Sequence, residues 1–239
     1  MTKEKVLLSH SDEGTRTGTQ ELADIVKATR GGFKERVYLF VKRCFDLFVS
    51  FLMIIILSPV LLILALLVKC SSKGPVIYKH KRLGQYGRVI NVYKFRSMKN
   101  DNRPLEEVLT EEQLEQYKTE FKIDNDPRVT KIGRFMRKTS LDELPQLFNV
   151  FIGNMSFVGP RPVVDREIHQ YYEQTKKNFL RCKPGITGYW QAYGRNDITY
   201  SSGERQQMEL YYAANRSLWF DLKILFMTFW SVLFGKGAK

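Results

Sequence analysis

Cysteine is scarce in this chain of 239 residues: only Cys44, Cys70 and Cys182 occur, and no two of them form a CxxC pair. Neither a disulfide framework nor a thiolate zinc site is therefore indicated. Cys44 and Cys70 bracket an apolar run and read as small buried hydrophobes. Histidine is as thin, with His10, His80 and His169 at no metal-ligand spacing. No Walker or dinucleotide fingerprint, no nucleophile elbow and no Ser-His-Asp order can be assembled. The N-terminus lacks the short apolar core and cleavage site of a signal peptide, so the globular part is expected to stay in the cytoplasm.

Charge is missing altogether from Leu47 to Val68, LFVSFLMIIILSPVLLILALLV. As a straight helix these residues would cover ~33 Å, roughly the hydrocarbon thickness of a bilayer. Pro59 lacks a backbone donor and clashes with the turn before it, so a bend is expected near residues 55 to 59. Ser58 can satisfy a carbonyl that Pro59 frees. Basic residues flank the run on both sides, Lys34, Arg36, Lys42 and Arg43 before it and Lys69, Lys73, Lys79, Lys81 and Arg82 after it. Basic residues beside membrane segments prefer the cytoplasmic side, and a straight span must send one group outside. A hairpin bent at Ser58-Pro59 keeps both on one face. Physics alone leaves the re-entrant hairpin and a kinked single crossing open, with the buried core helix of a soluble protein as the plainer third reading.

What is abundant is positive charge, 38 Lys and Arg against 25 Asp and Glu, a formal net charge of +13. That balance suits nucleic acid, anionic lipid headgroups or phosphorylated substrates, and the apolar run together with an aromatic tail favours the last two. Residues 1–32 read as a polar extension with a short amphipathic helix at 20–29. Residues 33–70 form the membrane helix, in which Asp46 is expected to be neutralised by Lys42 and Arg43 on its own face. Residues 71–215 make a cytosolic domain. Its Val76-Tyr78 and Val89-Tyr93 strands are joined by a Gly84 to Gly87 turn, and a solvated helical excursion follows at 99–123. Next come a helix opened by Asp124, Asp126 and Pro127 and running to Lys138, another starting at Thr139, and one amphipathic helix at 163–180. Phe157 to Pro162 is expected to be neither helix nor sheet, and Lys183 to Gly188 and Gly194 to Asn196 to be loops. Residues 216–239 carry Trp and Phe at a density that suits an interfacial helix lying along the membrane. The fold class expected is α-rich α+β, a monotopic membrane protein with a Ser-Pro-broken re-entrant helix, a short β-hairpin in the catalytic domain and interfacial amphipathic helices.

Two features point to chemistry. The Asp142-Glu143 pair lies between Leu141 and Leu144 with Arg134, Arg137 and Lys138 just upstream. A carboxylate held among cations stays ionised, and beside a divalent metal it can act as ligand or as nucleophile toward phosphorus. The competing structural reading is a capping box from Ser140 to Glu143. In Gly159-Pro160-Arg161-Pro162 two prolines fix the backbone and pre-aim a planar donor fork that matches phosphate oxygens. A structural ion pair in a tight turn is the alternative. Lys94 and Arg96 flank Phe95, and the glycines at 185, 188 and 194 can bring backbone donors to a nucleotide.

The segment with Phe45-Asp46, the Ser-Pro-broken run, Tyr93-Lys94-Phe95-Arg96-Ser97-Met98, Arg137 before Ser140-Leu141-Asp142-Glu143-Leu144-Pro145-Gln146, Gly153 to Pro162, and Lys183-Pro184-Gly185-Ile186-Thr187-Gly188 together resemble the monotopic polyprenyl-phosphate phosphoglycosyl transferases, the bacterial sugar transferases. The resemblance covers about residues 36–230 and is to the small members made of the catalytic domain alone. It implies transfer of sugar 1-phosphate from a UDP-sugar to undecaprenyl phosphate with release of UMP, at the cytosolic face of the bacterial inner membrane. It implies Asp142 as nucleophile and as a ligand of Mg2+, with Glu143 assisting deprotonation of the acceptor or supporting the metal. Arg137 and Arg161 fall near the substrate phosphates. Lys94, Arg96, Gly185, Thr187 and Arg195, from the basic and glycine-rich segments, complete the expected phosphate- and substrate-binding set. Ser58 and Pro59 match the family's helix-breaking pair, which tips the topology toward the hairpin. The lipid bilayer is an implied partner, nucleic acid is not, and a homodimer is compatible with it. The main rival is a non-catalytic scaffold of a polysaccharide assembly complex, and the second a membrane-associated nucleic-acid binder. With both flanks inside, a membrane-impermeant thiol reagent applied from the periplasm should spare Cys70 and an engineered cysteine near Lys34; modification of either one would refute the hairpin.

Overall fold

The computed structural model describes residues 32–99, 103–120, 123, 126–193 and 202–233. The expected helix at 20–29, Asp124 and the loop carrying Arg195 lie outside them. The first element, α1, is one helix of 39 residues, Phe33–Ser71, continuous through Pro59. Proline at 59 leaves the carbonyl of Ile55 without its i+4 donor. The Ser58 hydroxyl donates to that carbonyl at 2.8 Å, as expected from the sequence. Along α1 the large side chains Phe48, Ile56, Leu62 and Leu66 are exposed, whereas Asp46, Ser50, Leu64 and Val68 are buried. Cys44 and Cys70 fall on the outward side of α1 and are exposed rather than buried. Among the described residues α1 is the one helix long and apolar enough to cross a membrane.

Polar contacts fasten both flanks of α1 to the rest of the chain. On the N-terminal side Arg43 donates to the carbonyls of Val150 and Phe151, each at 2.8 Å. These carbonyls lie at the C-terminal end of α5 (Gln146–Ile152), where a cation is favoured. Asp46 accepts from the Ser156 hydroxyl and the Phe157 amide, both at 3.1 Å. The charge of Lys42 still favours ionised Asp46, as expected, but the direct contacts of Asp46 are these two donors and not Lys42 or Arg43. Arg43 serves the carbonyls, and Lys42 pairs with Asp221 at 2.6 Å. On the C-terminal side the Arg96 guanidinium donates to the carbonyls of Val68 at 3.2 Å and Ser72 at 2.5 Å, and also to Pro75. It closes the end of α1 as a cap would. Leu64 and Val68 pack there against Phe95 and Met136.

β1 (Ile77–Leu83) and β2 (Val89–Phe95) form an antiparallel hairpin, longer than the sequence suggested, in register from Ile77↔Phe95 to Leu83↔Val89. The outer edge of β2 is satisfied by a side chain. Asn149, fully buried, accepts from the Tyr93 amide at 2.9 Å and donates to the Asn91 carbonyl at 2.7 Å, so α5 takes the place of a third strand. Short helices α2 (Leu105–Val108) and α3 (Glu111–Glu120) make the expected excursion. α4 (Lys131–Lys138) starts later than expected. Thr130 caps it by accepting from the Gly133 amide at 2.9 Å, whereas Asp126 is bound to Arg128.

A second, parallel pair of strands corrects two expectations. β3 (Ser156–Val158) and β4 (Gly185–Thr187) pair where loop and irregular backbone had been expected. Three residues are too few to display a period, and the pairing rests on close approach of backbones. A Cβ on Gly159 would lie 2.2 Å from the Lys183 carbonyl, and one on Gly185 would lie 2.2 Å from the Gly159 nitrogen. The helix expected over 163–180 is also divided, into α6 (Asp165–Tyr171) and α7 (Lys176–Leu180). At the break Tyr172 turns inward, packs at a tilt against Phe179 with ring centroids 4.4 Å apart and donates to Glu209 at 2.7 Å. α8 (Tyr189–Tyr193), α9 (Glu204–Asn215) and α10 (Leu218–Leu233) follow. Asp221 of α10 accepts from Lys42, Tyr38 and Tyr212, while Trp219, Phe226 and Phe229 face outward. Replacing Asn149 by Ala strips two ladder groups of their buried partner. We expect a loss of roughly 2–3 kcal/mol in denaturant unfolding of the detergent-solubilised chain, and an unchanged midpoint would show that the edge is otherwise satisfied.

Candidate active site

Between α4 and α5 the chain makes a single 3-10 turn, Leu141–Glu143, entered through Ser140 in the left-handed region at φ 57°. The Ser140 side chain caps nothing, so the capping box is not formed and both acids of the turn are released from that structural role. Glu143 points to the hairpin, where Lys94 donates to it at 2.5 Å. Asp142 is buried beside it and has no side-chain partner among the described residues.

Arg161 reaches the same place because its loop is tethered on three sides. The Gly185 amide donates to the Pro160 carbonyl at 2.8 Å, the Leu83 amide donates to the Val163 carbonyl at 2.8 Å, and the Arg161 amide donates to Glu209 at 3.3 Å. The two prolines then leave the loop little freedom. The result is a narrow cleft walled by His80, Arg82 and Lys94 of the hairpin, Glu143 and Gln146, Arg161, Gly185 and Gln191. Of the residues expected from the sequence, Glu143, Lys94, Arg161 and Gly185 line it, and Asp142 adjoins it.

Three others sit elsewhere. Arg96 is buried at the end of α1, its donors taken by backbone carbonyls, so it is a structural clamp there. Thr187 is buried and shares a 2.8 Å hydrogen bond with Thr228 of α10. Since Thr228 gives its own proton to the Ile224 carbonyl, Thr187 is the donor. Arg137 donates to the Ser97 hydroxyl at 2.9 Å and acts on Asp142 through its charge.

Burial raises the Asp142 carboxyl above the usual range; Lys94 and Arg137 oppose that, and the Glu143 charge adds to it. For Glu143 burial pushes in the same direction, but Lys94 and Arg161 prevail and hold its carboxyl below the usual carboxylate range. Two adjacent carboxyls are thereby driven apart, a pattern that marks acid and base roles. Among the described residues no three His, Cys, Asp or Glu side chains gather as a metal cage. Magnesium does not need one, since it is commonly held by one or two carboxylates together with substrate phosphates. The Asp142 carboxylate, to which no other side chain among the described residues is bound, fits such a cation.

His80 and Arg82 were missed by sequence reasoning, although the hairpin carried the signal. Strand register puts Tyr78, His80 and Arg82 opposite Lys94, Val92 and Ile90, on the same face as Lys94. Arg82 is fixed by Glu167 at 2.7 Å and lies 3.4 Å from His80 Nδ1. Burial, then Arg82, Lys94 and Arg161, lower the His80 imidazole to about 4, so it is neutral at physiological pH. An Arg neighbour can only donate, so Nδ1 accepts and the proton sits on Nε2. A folded-state value below the unfolded ~6.5 means that stability is lost as pH falls from that value through about 4. In an NMR titration the His80 resonances should stay in the neutral form at pH 5.5, and His80→Gln should flatten the fall in melting temperature between pH 6.5 and 4; a normal titration midpoint would contradict the cationic surroundings.

Residues 37–235 match the model of the family described as bacterial sugar transferase. The chain is 46% identical over 202 residues to an undecaprenyl-phosphate galactose phosphotransferase of Salmonella typhimurium, covering 83% of this chain and 42% of that protein. It is 42% identical over 202 residues to a UDP-glucose:undecaprenyl-phosphate glucose-1-phosphate transferase of Escherichia coli, covering 82% of this chain and 41% of the other. It therefore spans less than half the length of these two relatives. An exopolysaccharide production protein of Sinorhizobium fredii is 42% identical over 200 residues, with 82% of this chain and 87% of that protein covered. With the family model extending over residues 37–235 of the 239, the protein belongs to the bacterial sugar transferase family.

Proposed function

We propose that the chain transfers a hexose 1-phosphate from a UDP-sugar to undecaprenyl phosphate at the cytosolic face of the inner membrane, releasing UMP. The observation that carries this reading is the buried Asp142 carboxylate, bound by no other side chain among the described residues, next to an ion-paired Glu143 and Lys94 that line one cleft with Arg161. An oxygen of Asp142 attacks the β-phosphorus, and the bond from that phosphorus to the bridging oxygen of the diphosphate breaks as UMP leaves. The phosphosugar then sits on Asp142 as a mixed anhydride. A phosphate oxygen of the lipid attacks the same phosphorus, forming the lipid diphosphate sugar and returning the carboxylate. Glu143, kept anionic by Lys94 and Arg161, is the group to take a proton from the incoming lipid phosphate.

Both displacements crowd negative oxygens together. Arg161 and Lys94 supply fixed positive charge in the cleft and Arg137 supplies it behind Asp142. Mg2+, when bound by Asp142 and the diphosphate, would offset the charge on the donor and hold Asp142 ionised against its burial. The names of the relatives support a galactose or glucose donor.

The re-entrant arrangement of α1 belongs to the same proposal. It is supported by the way both flanks are bound to one body, Arg43 to α5 before the apolar run and Val68 to Arg96 after it. A straight helix would carry these two residues ~38 Å apart along its axis, which suits opposite faces of a bilayer better than one domain. Exposed Trp219, Phe226 and Phe229 on α10 support a second, interfacial contact.

Incubating the purified chain with Mg2+ and a radiolabelled UDP-sugar should leave label on the wild-type protein and none on Asp142→Asn. Turnover with undecaprenyl phosphate should fall by roughly three orders of magnitude or more in that variant. Equal labelling of both proteins would remove Asp142 as the nucleophile.

A further inference from the structure

A second cavity, of about 250 Å³, lies between the N-terminal flank of α1 and the hairpin turn and shares no lining residue with the cleft around Glu143. Lys42, Arg43 and Asp46 of α1, Tyr86 of the turn, Lys183 and Arg216 are among its walls. It has room for several molecules the size of water, each of which takes ~30 Å³ in the liquid. Its floor is at a defined height, because Asp46 immediately precedes the apolar run that starts at Leu47.

Most of the charges are already engaged. Lys42 is paired with Asp221, Arg43 donates to two carbonyls, and Arg216 is paired with Glu35. Asp46 accepts from Ser156 and Phe157. Lys183 is the exception: half-buried, its ammonium has no hydrogen-bond or ion-pair partner among the described residues. Burial lowers its proton affinity, Arg43 and Lys42 lower it further, and Asp46 opposes them. A cation desolvated in a field that is on balance positive is left unsatisfied by the protein itself. An anion with several acceptor oxygens would satisfy it.

We propose that this cavity binds a phosphate-bearing anion at the membrane surface, with Lys183 as its principal partner. The shared chemistry is a phosphate ester, which a phospholipid headgroup or a free phosphate can supply. The site is separate from the catalytic cleft and does not depend on the reaction assigned there.

The test uses the full chain, delipidated in neutral detergent, titrated with phosphatidylglycerol or phosphatidylcholine and read by native mass spectrometry. One phosphatidylglycerol should be retained per chain and phosphatidylcholine should not. Lys183→Gln should weaken retention ~10-fold or more, the equivalent of one charge-assisted hydrogen bond. Lys183→Arg should restore it, which separates a lost contact from misfolding, and melting curves of each variant check the same point. Arg161→Ala should retain the lipid as wild type does. Displacement of the lipid by glycerol 3-phosphate or inorganic phosphate would assign the site to the phosphate alone, and persistence would assign it to the lipid. Equal retention by wild type and Lys183→Gln overturns the proposal, as does loss of the lipid in Arg161→Ala.

Discussion

An apolar helix can hold a polar site at a fixed height above a bilayer only if its ends are fastened to that site, and here the fastening is electrostatic. Arg43 closes the carbonyl end of α5, Asp46 receives the first donors of β3, and Arg96 closes the end of α1 itself. Each is a charge removed from water, and each is matched with several hydrogen-bond partners, which is the condition under which a buried charge is tolerated. The hairpin, α5 and β3 are all touched by these clamps. The hairpin and α5 also supply walls of the cleft, so anchor and site are mechanically linked.

The excess of positive charge is accordingly divided between two tasks. Arg96, Arg43, Lys42 and Arg216 serve backbone carbonyls or carboxylates of the fold. Lys94, Arg82 and Arg161 converge on the cleft, where their fields keep Glu143 ionised and His80 neutral. Asp142 sits behind them with its acidity weakened by burial.

Much was legible in the chain because it depends on local covalent properties. The apolar run, the Ser58 hydroxyl on the Ile55 carbonyl and the hairpin about Gly84 to Gly87 follow from composition, from the missing proline donor and from alternation. Contacts between distant segments were not legible. β3 and β4 are three residues each, and their pairing depends on glycines 159 and 185 meeting across 26 positions of chain. Tyr172 broke an amphipathic pattern because its hydroxyl had a partner on α9. Arg96 and Thr187, in segments that looked suited to phosphate, were drawn to α1 and α10 instead.

By itself the sequence determined which residues could do chemistry and where an uncharged segment must leave water, since acid pairs, rigid proline loops and hydrophobic length are properties of neighbours along the chain. The tertiary structure decided which of the many cations face the acids and which hold the scaffold. A guanidinium is equally able to meet a phosphate or a helix carbonyl, and only the packing of distant backbones settles which of the two lies within its reach.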